Sequence, residues 1–292
     1  MLDFKPLALS SRKDYSTYFC DAQERASDYS FINLWGWHEE RSYEIAFCED
    51  LYWIRLTKSE PYEMWAPIGD WSSKNWEHIL KKLFPEGAFF SRVPEKLTQL
   101  LIEKLGDMIE VNEERSEWEY IYSVNELVDL SGNRFHRKKN LLAQFMKYYP
   151  AYEEINYENI DKIMDFQCEW CSLKDCDKFH SLMAENNAIK RVLSDWEDLP
   201  GIMGGVLKID GKLVAYTIAE DLGNGTIIIH FEKGLESYKG VYQGINQIFL
   251  KNISGFMFVN REQDMGLEGL RQAKQTYNPI GFIKKYLVKW KG

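Results

Sequence analysis

Four polar residues, Asn260, Arg261, Glu262 and Asp264, follow directly on the apolar run Phe256–Val259 and precede a turn at Gly266. Acid–base chemistry needs a group that takes a proton and a positive or dipolar group that stabilises developing negative charge. A glutamate beside an arginine supplies both, which makes Glu262 a candidate base. The scaffold reading of the same residues is an ion-pair network with Arg271 and Lys274 of the following helix, with Asp264 as its cap. His230 and Glu232 lie two apart in TIIIHFE, so strand alternation puts them on one face. Glu232 is the second candidate base and His230 its partner; the plainer reading is a hydrogen-bonded core histidine. Arg134, His136, Arg137, Lys138, Lys139 and Asn140 form the strongest basic cluster, ahead of the apolar-periodic Leu141, Leu142, Phe145 and Met146. Such a cluster suits phosphates, and its cations at a helix start oppose the helix dipole, which a purely structural role does not explain. Cys168, Cys171, Cys176 and His180 have spacing that invites zinc, but the helical period of Ile163, Phe166, Trp170 and Leu173 leaves no turn between ligand pairs. Packed cysteines and no metal are expected.

These residues need elements to position them. Apolar residues from Tyr15 to Trp37 recur at helical steps. The strand patterns YEIAF and LYWIRL then join at Glu49 and Asp50, MWAPIG gives a third, and a helix is expected over 72–83, started by Asp70 to Ser73 and stopped by Pro85 and Gly87. Strand AFFSR, a helix over 95–105 and strand DMIEV complete the first half. The second half repeats this order: a helical region over 159–196, strands GVLKI and LVAYTIAE joined at Asp210 and Gly211, strand TIIIHFE, a helix over 241–252, strand FMFVN, a helix over 267–277 and a strand over 283–288. Eight elements in one order imply two copies of an α/β unit, 1–124 and 125–292.

The 292 residues, 45% hydrophobic and 28% charged, suit two globular units. A net charge of -9 argues against a protein that blankets DNA or RNA, because such binding rests on a basic face. Five cysteines and no signal-peptide layout fit free thiols, and no apolar run nears the roughly 20 residues of a membrane span. A soluble, cytoplasmic protein is expected, without integral membrane association. Phosphate-loop, nucleophile-elbow, zinc-protease and dinucleotide fingerprints are all missing from the sequence.

The order of elements resembles that of the GNAT acyltransferase fold. The segments FHRKKNLLAQFMKYYP (135–150), FVNREQDMGLEGLRQAKQTYNP (258–279) and SDYSFINLWGW (27–37) resemble soluble, stand-alone relatives of the C-terminal domain of phosphatidylglycerol lysyltransferase, the DUF2156 family. The resemblance implies a tandem GNAT-like fold with its centre in the second unit. It implies an acyl or aminoacyl transferase acting on a small amine or hydroxyl acceptor, with no tightly bound cofactor and with aminoacyl-tRNA or acyl-CoA as donor. A GNAT pyrophosphate loop would correspond to Lys239–Gly244, where Tyr242 stands in place of the central glycine. The expected site therefore has Glu262 and Glu232 as catalytic groups and Asn260, Arg261, Asp264, Lys274, His230 and Tyr277 around the substrate. Arg137, Lys138, Asn140, Lys239, Gly240 and Gly244 are expected at the donor. The alternatives are a CoA-dependent N-acetyltransferase and a non-catalytic protein that binds a small ligand or partner.

Overall fold

The computed structural model describes residues 2–58 and 62–292. The chain runs β1 (Lys5–Pro6), α1 (Arg12–Asp21), α2 (Phe31–Gly36), α3 (His38–Arg41), β2 (Tyr43–Cys48), β3 (Leu51–Leu56), β4 (Glu63–Trp65), α4 (Trp76–Leu83), β5 (Ala88–Pro94), α5 (Glu95–Leu105) and β6 (Ile109–Glu113). It continues with β7 (Glu119–Ser123), α6 (Val124–Asp129), α7 (His136–Phe145), β8 (Ala151–Glu154), α8 (Ile160–Leu173), α9 (His180–Ser194), β9 (Ile202–Ile209) and β10 (Lys212–Asp221). Last come β11 (Thr226–Gly234), α10 (Val241–Asn252), β12 (Phe258–Gln263), α11 (Glu268–Gln275), β13 (Gly281–Ile283) and β14 (Lys285–Trp290).

Local chemistry accounts for most boundaries. Glu49 and Asp50 both take positive φ, the two-residue turn that matches strand twist, and β2 and β3 pair in full register around them. Asp210 and Gly211 make the same turn between β9 and β10, whose pairing shifts register between Leu213 and Ala215. The expected helix over 72–83 begins only at Trp76, because Asp70 accepts from the Ser72 amide to make a turn and Asn75 is the side chain that caps His78 N–H. The strand expected at MWAPIG is confined to Glu63–Trp65, ahead of Pro67. The helical stretch over 159–196 is two helices, broken after Leu173 where Asp175 takes φ 50°. Cys171 and Cys176 are joined there by a disulfide, against the expectation of free thiols, since the turn brings their Cα atoms to 5.2 Å. Cys168 is exposed rather than packed.

Two seven-stranded sheets result, in the orders β1-β2-β3-β4-β5-β14-β6 and β13-β7-β12-β11-β10-β9-β8. Each holds a parallel pair, β4 with β5 and β11 with β12. The final strand, β14, lies in the first sheet between β5 and β6, and β7 lies in the second. The compact units are accordingly residues 1–119 with 263–267 and 282–292, and residues 120–262 with 268–281. A single cut after residue 124 does not separate them, because Val288 and Trp290 of β14 belong to the core of the first unit, each 1% exposed. Arg92 on β5 and Glu262 on β12 share a further trait: both take positive φ, 55° and 56°, at corresponding places of the two copies.

Candidate active site

The second unit's parallel pair is short. β11 and β12 share register only from Thr226↔Phe258 to Ile228↔Asn260. Beyond that point side chains bridge the two strands, Arg261 Nη2 to Glu232 Oε1 at 3.1 Å and His230 Nδ1 to Glu262 Oε1 at 2.9 Å. Lys274 from α11 donates to the carbonyl oxygens of Arg261 and Glu262, which holds the strained backbone at Glu262. Asn260, fully buried, accepts from the Glu262 amide at 2.8 Å and fixes the same bend.

His230 and Glu232 do not share a face. Phe231 pairs with Ile218 and Ile229 with Ala219, so His230 is an extra residue on β11, a β-bulge that resets the alternation. Glu232 pairs with Thr217, on the side where Ala219 and Ile229 pack against Phe249 and Leu250 of α10. His230 reaches Glu220 on the other side, with Nε2 to Oε2 at 2.8 Å. That side is covered by α8 and α9, where the Tyr216 hydroxyl donates to Gln167 and Lys233 pairs with Glu185.

Two clusters follow. On the α8 and α9 side, the His230 side chain, 2% exposed, sits between Glu220 and Glu262. Burial alone would depress its pKa, but hydrogen bonds and charge from the two glutamates outweigh that and raise it to about 9. The imidazolium donates from both nitrogens and cannot serve as a base at neutral pH.

On the α10 side, Glu232 and Arg261 meet Tyr277, whose ring lies 5.0 Å from the Arg261 guanidinium and 3.9 Å from Lys138 Nζ. Gln243 donates to the Tyr277 hydroxyl at 3.1 Å. Burial raises the Glu232 carboxyl above its usual range, partly offset by Arg261. Burial, with the Arg261 charge adding to it, pushes the Lys138 ammonium down to about 8. Acid, amine, guanidinium and phenol thus converge on one partly covered spot, with proton affinities moved in the directions that acid–base work uses.

Among the expected donor residues, Lys138 alone is drawn to this cluster. Arg137, Asn140 and Lys239 are exposed, and the Asn140 amide lies 3.5 Å from His136 Nε2. Gly240 and Gly244 are closely packed against α7. A Cβ on Gly240 would stand 2.2 Å from the Leu141 carbonyl oxygen, and one on Gly244 would stand 2.1 Å from the Phe145 ring, so α7 lies directly on the start of α10. Asp264 is also drawn elsewhere: its buried carboxylate accepts from Arg115 at 3.2 Å and from the Gly266 amide at 2.9 Å, within the first unit. It shapes the turn ahead of α11. Sequence reading missed Glu220, Gln243, Thr217 and Asn246. The signal for Asn246 was a polar residue on the apolar stripe Val241, Ile245, Phe249.

Among the described residues no group of side chains has metal-ligand geometry, and no helix is long and apolar enough to cross a membrane.

The family described as phosphatidylglycerol lysyltransferase, C-terminal, matches residues 20–289. A conserved protein of unknown function from Bacteroides thetaiotaomicron is 28% identical with a TM-score of 0.90, each chain covered in full. The C-terminal domain of a putative lysylphosphatidylglycerol synthetase from Agrobacterium fabrum has a TM-score of 0.66 at 13% identity, with 98% of this chain and 93% of that one covered. A protein of Mycoplasmoides gallisepticum is 29% identical over 177 residues, 58% of this chain; the match spans 55% of that relative's length.

Proposed function

Because this chain belongs to the family of phosphatidylglycerol lysyltransferase C-terminal regions, we propose that it is an acyl or aminoacyl transferase whose centre lies on the α10 side of the second sheet. The observation that carries this reading is the convergence of Glu232, Arg261, Lys138 and Tyr277 on one spot. Glu232 takes the proton from the attacking amine or hydroxyl, helped by the burial that raises its affinity. Arg261 and Lys138 face the carbonyl oxygen as it becomes an oxyanion, where charges held in a dry site act most strongly. Glu262 is assigned to structure, since its carboxylate is bonded to the imidazolium.

For the donor, the reading favours aminoacyl-tRNA over CoA. The glycines that would approach a pyrophosphate are occupied by α7. That helix turns Lys138 inward and leaves Arg137 and Lys139 exposed for phosphates. The acceptor is a small amine or hydroxyl compound.

Transfer of a labelled aminoacyl group from charged tRNA to a panel of such acceptors tests the proposal. Glu232→Gln is expected to lower turnover at least ~100-fold while the folded state persists; unchanged turnover removes Glu232 from the mechanism. A thermal-shift series with CoA, acetyl-CoA, aminoacyl-adenylate analogues and charged tRNA reads the donor, because a ligand specific to the folded state raises its melting point. A response to CoA compounds alone overturns the tRNA assignment, and no response to any donor favours a binding protein.

A further inference from the structure

Glu232 Oε1 meets Arg261, but Glu232 Oε2 completes no hydrogen bond among the described residues. The same holds for Thr217 Oγ1 and Asn246 Nδ2, on residues that are 0% and 2% exposed. The three residues come from three neighbouring elements, β10, β11 and α10. Thr217 is the direct cross-strand partner of Glu232 on β10, and such partners hold their Cβ atoms about 5 Å apart. Asn246 on α10 draws the Glu232 carboxyl's proton affinity down by side-chain hydrogen bonding, although its Nδ2 does not close a direct bond of good geometry to Oε2.

A buried polar group left unmatched is costly, and three side by side demand a common partner. That partner must accept from the Asn246 amide and the Thr217 hydroxyl and donate to the Glu232 carboxylate. A water molecule has this capacity, and buried waters usually make about three hydrogen bonds. A purely cationic group would leave the amide donor unmatched.

We infer that Thr217 and Asn246 hold one ordered water against Glu232 Oε2, and that both are positioning residues for the Glu232 carboxyl. The water fixes the carboxyl in one rotamer with Oε1 towards Arg261, and by donating to the charged form it restrains the rise in proton affinity that burial causes. The inference rests on the proposed role of Glu232 for its functional meaning, but its test does not require turnover.

The test combines a crystal structure of the wild-type protein at high resolution with carbon-13 NMR titration of labelled glutamate carboxyls. The Glu232 resonance is assigned as the one lost in Glu232→Gln. Density for a water within hydrogen-bond reach of all three atoms is expected. Thr217→Val, of equal shape but without the hydroxyl, is expected to release the water and raise the Glu232 pKa by about one unit, the effect of the carboxylate losing the hydrogen bond that the water donates. Thr217→Ser restores it. Absence of that density, or a Glu232 pKa unmoved in Thr217→Val, overturns the inference. If the water and the shift are found but Glu232→Gln leaves transfer intact, the site stands and the catalytic role of Glu232 falls.

Discussion

Replacing His230 by Gln tests the charged sandwich directly. The histidine titrates at about 9 in the folded protein and at 6.5 when unperturbed. The folded value is the higher one, so protonation stabilises the fold fully below pH 6.5, and the contribution is lost as pH rises through 9. At about 1.4 kcal/mol per unit, the difference gives roughly 3 kcal/mol at its maximum, about 2 kcal/mol near pH 7.5 and under about 0.5 kcal/mol at pH 9. The groups responsible are Glu220 on β10 and Glu262 on β12, each within 2.9 Å of a ring nitrogen. Urea unfolding of wild type and variant, followed by tryptophan fluorescence at steps from pH 6 to 9.5, reads the stability difference between them. That difference should shrink by about 3 kcal/mol across the window. A difference that stays constant from pH 6 to 9.5 would refute a protonated His230, however much the substitution destabilises at any single pH.

Gly244→Ala sets a methyl group 2.1 Å from the Phe145 ring. It should destabilise by about 1 to 3 kcal/mol in denaturant titration, as overpacking does; a neutral result would mean that α7 does not rest on α10. Lys285→Met removes the buried amine that contacts Asp28 and Glu119, two carboxylates that are 2% and 0% exposed, while Asp28 keeps Arg92 and Glu119 keeps its bonds from Ser27. Breaking this buried pairing from one side should cost about 3 to 5 kcal/mol, read as a lower urea midpoint. Doubling the change as Lys285→Met with Glu119→Gln should recover part of the loss, and no recovery would show that the pairing is not the cause.

Hairpins and helices were legible because their causes are local. Asp210–Gly211 announced its turn and the stripe Val241, Ile245, Phe249 announced α10, whereas Asn260, Arg261 and Glu262, expected beyond a strand end, lie within β12. The convergence of Glu232, Arg261, Lys138 and Tyr277 was only half legible. Each residue was a candidate, but Lys138 lies more than 90 positions from Glu232 in the chain, and no spacing rule reports a contact of that kind. The same gap hid the histidine that the Glu262 carboxylate meets.

By itself the sequence determined the α/β character, the duplicated order of elements, the residues able to do acid–base work and the family resemblance, all of which depend on side-chain type and short-range period. Tertiary structure alone decided which sheet receives β14, which face carries Glu232, and what covers Gly240 and Gly244. The reason is physical. Strand alternation has a period of two, so one bulged residue at His230 exchanges the faces beyond it, and that residue is recognisable only from the partner strand.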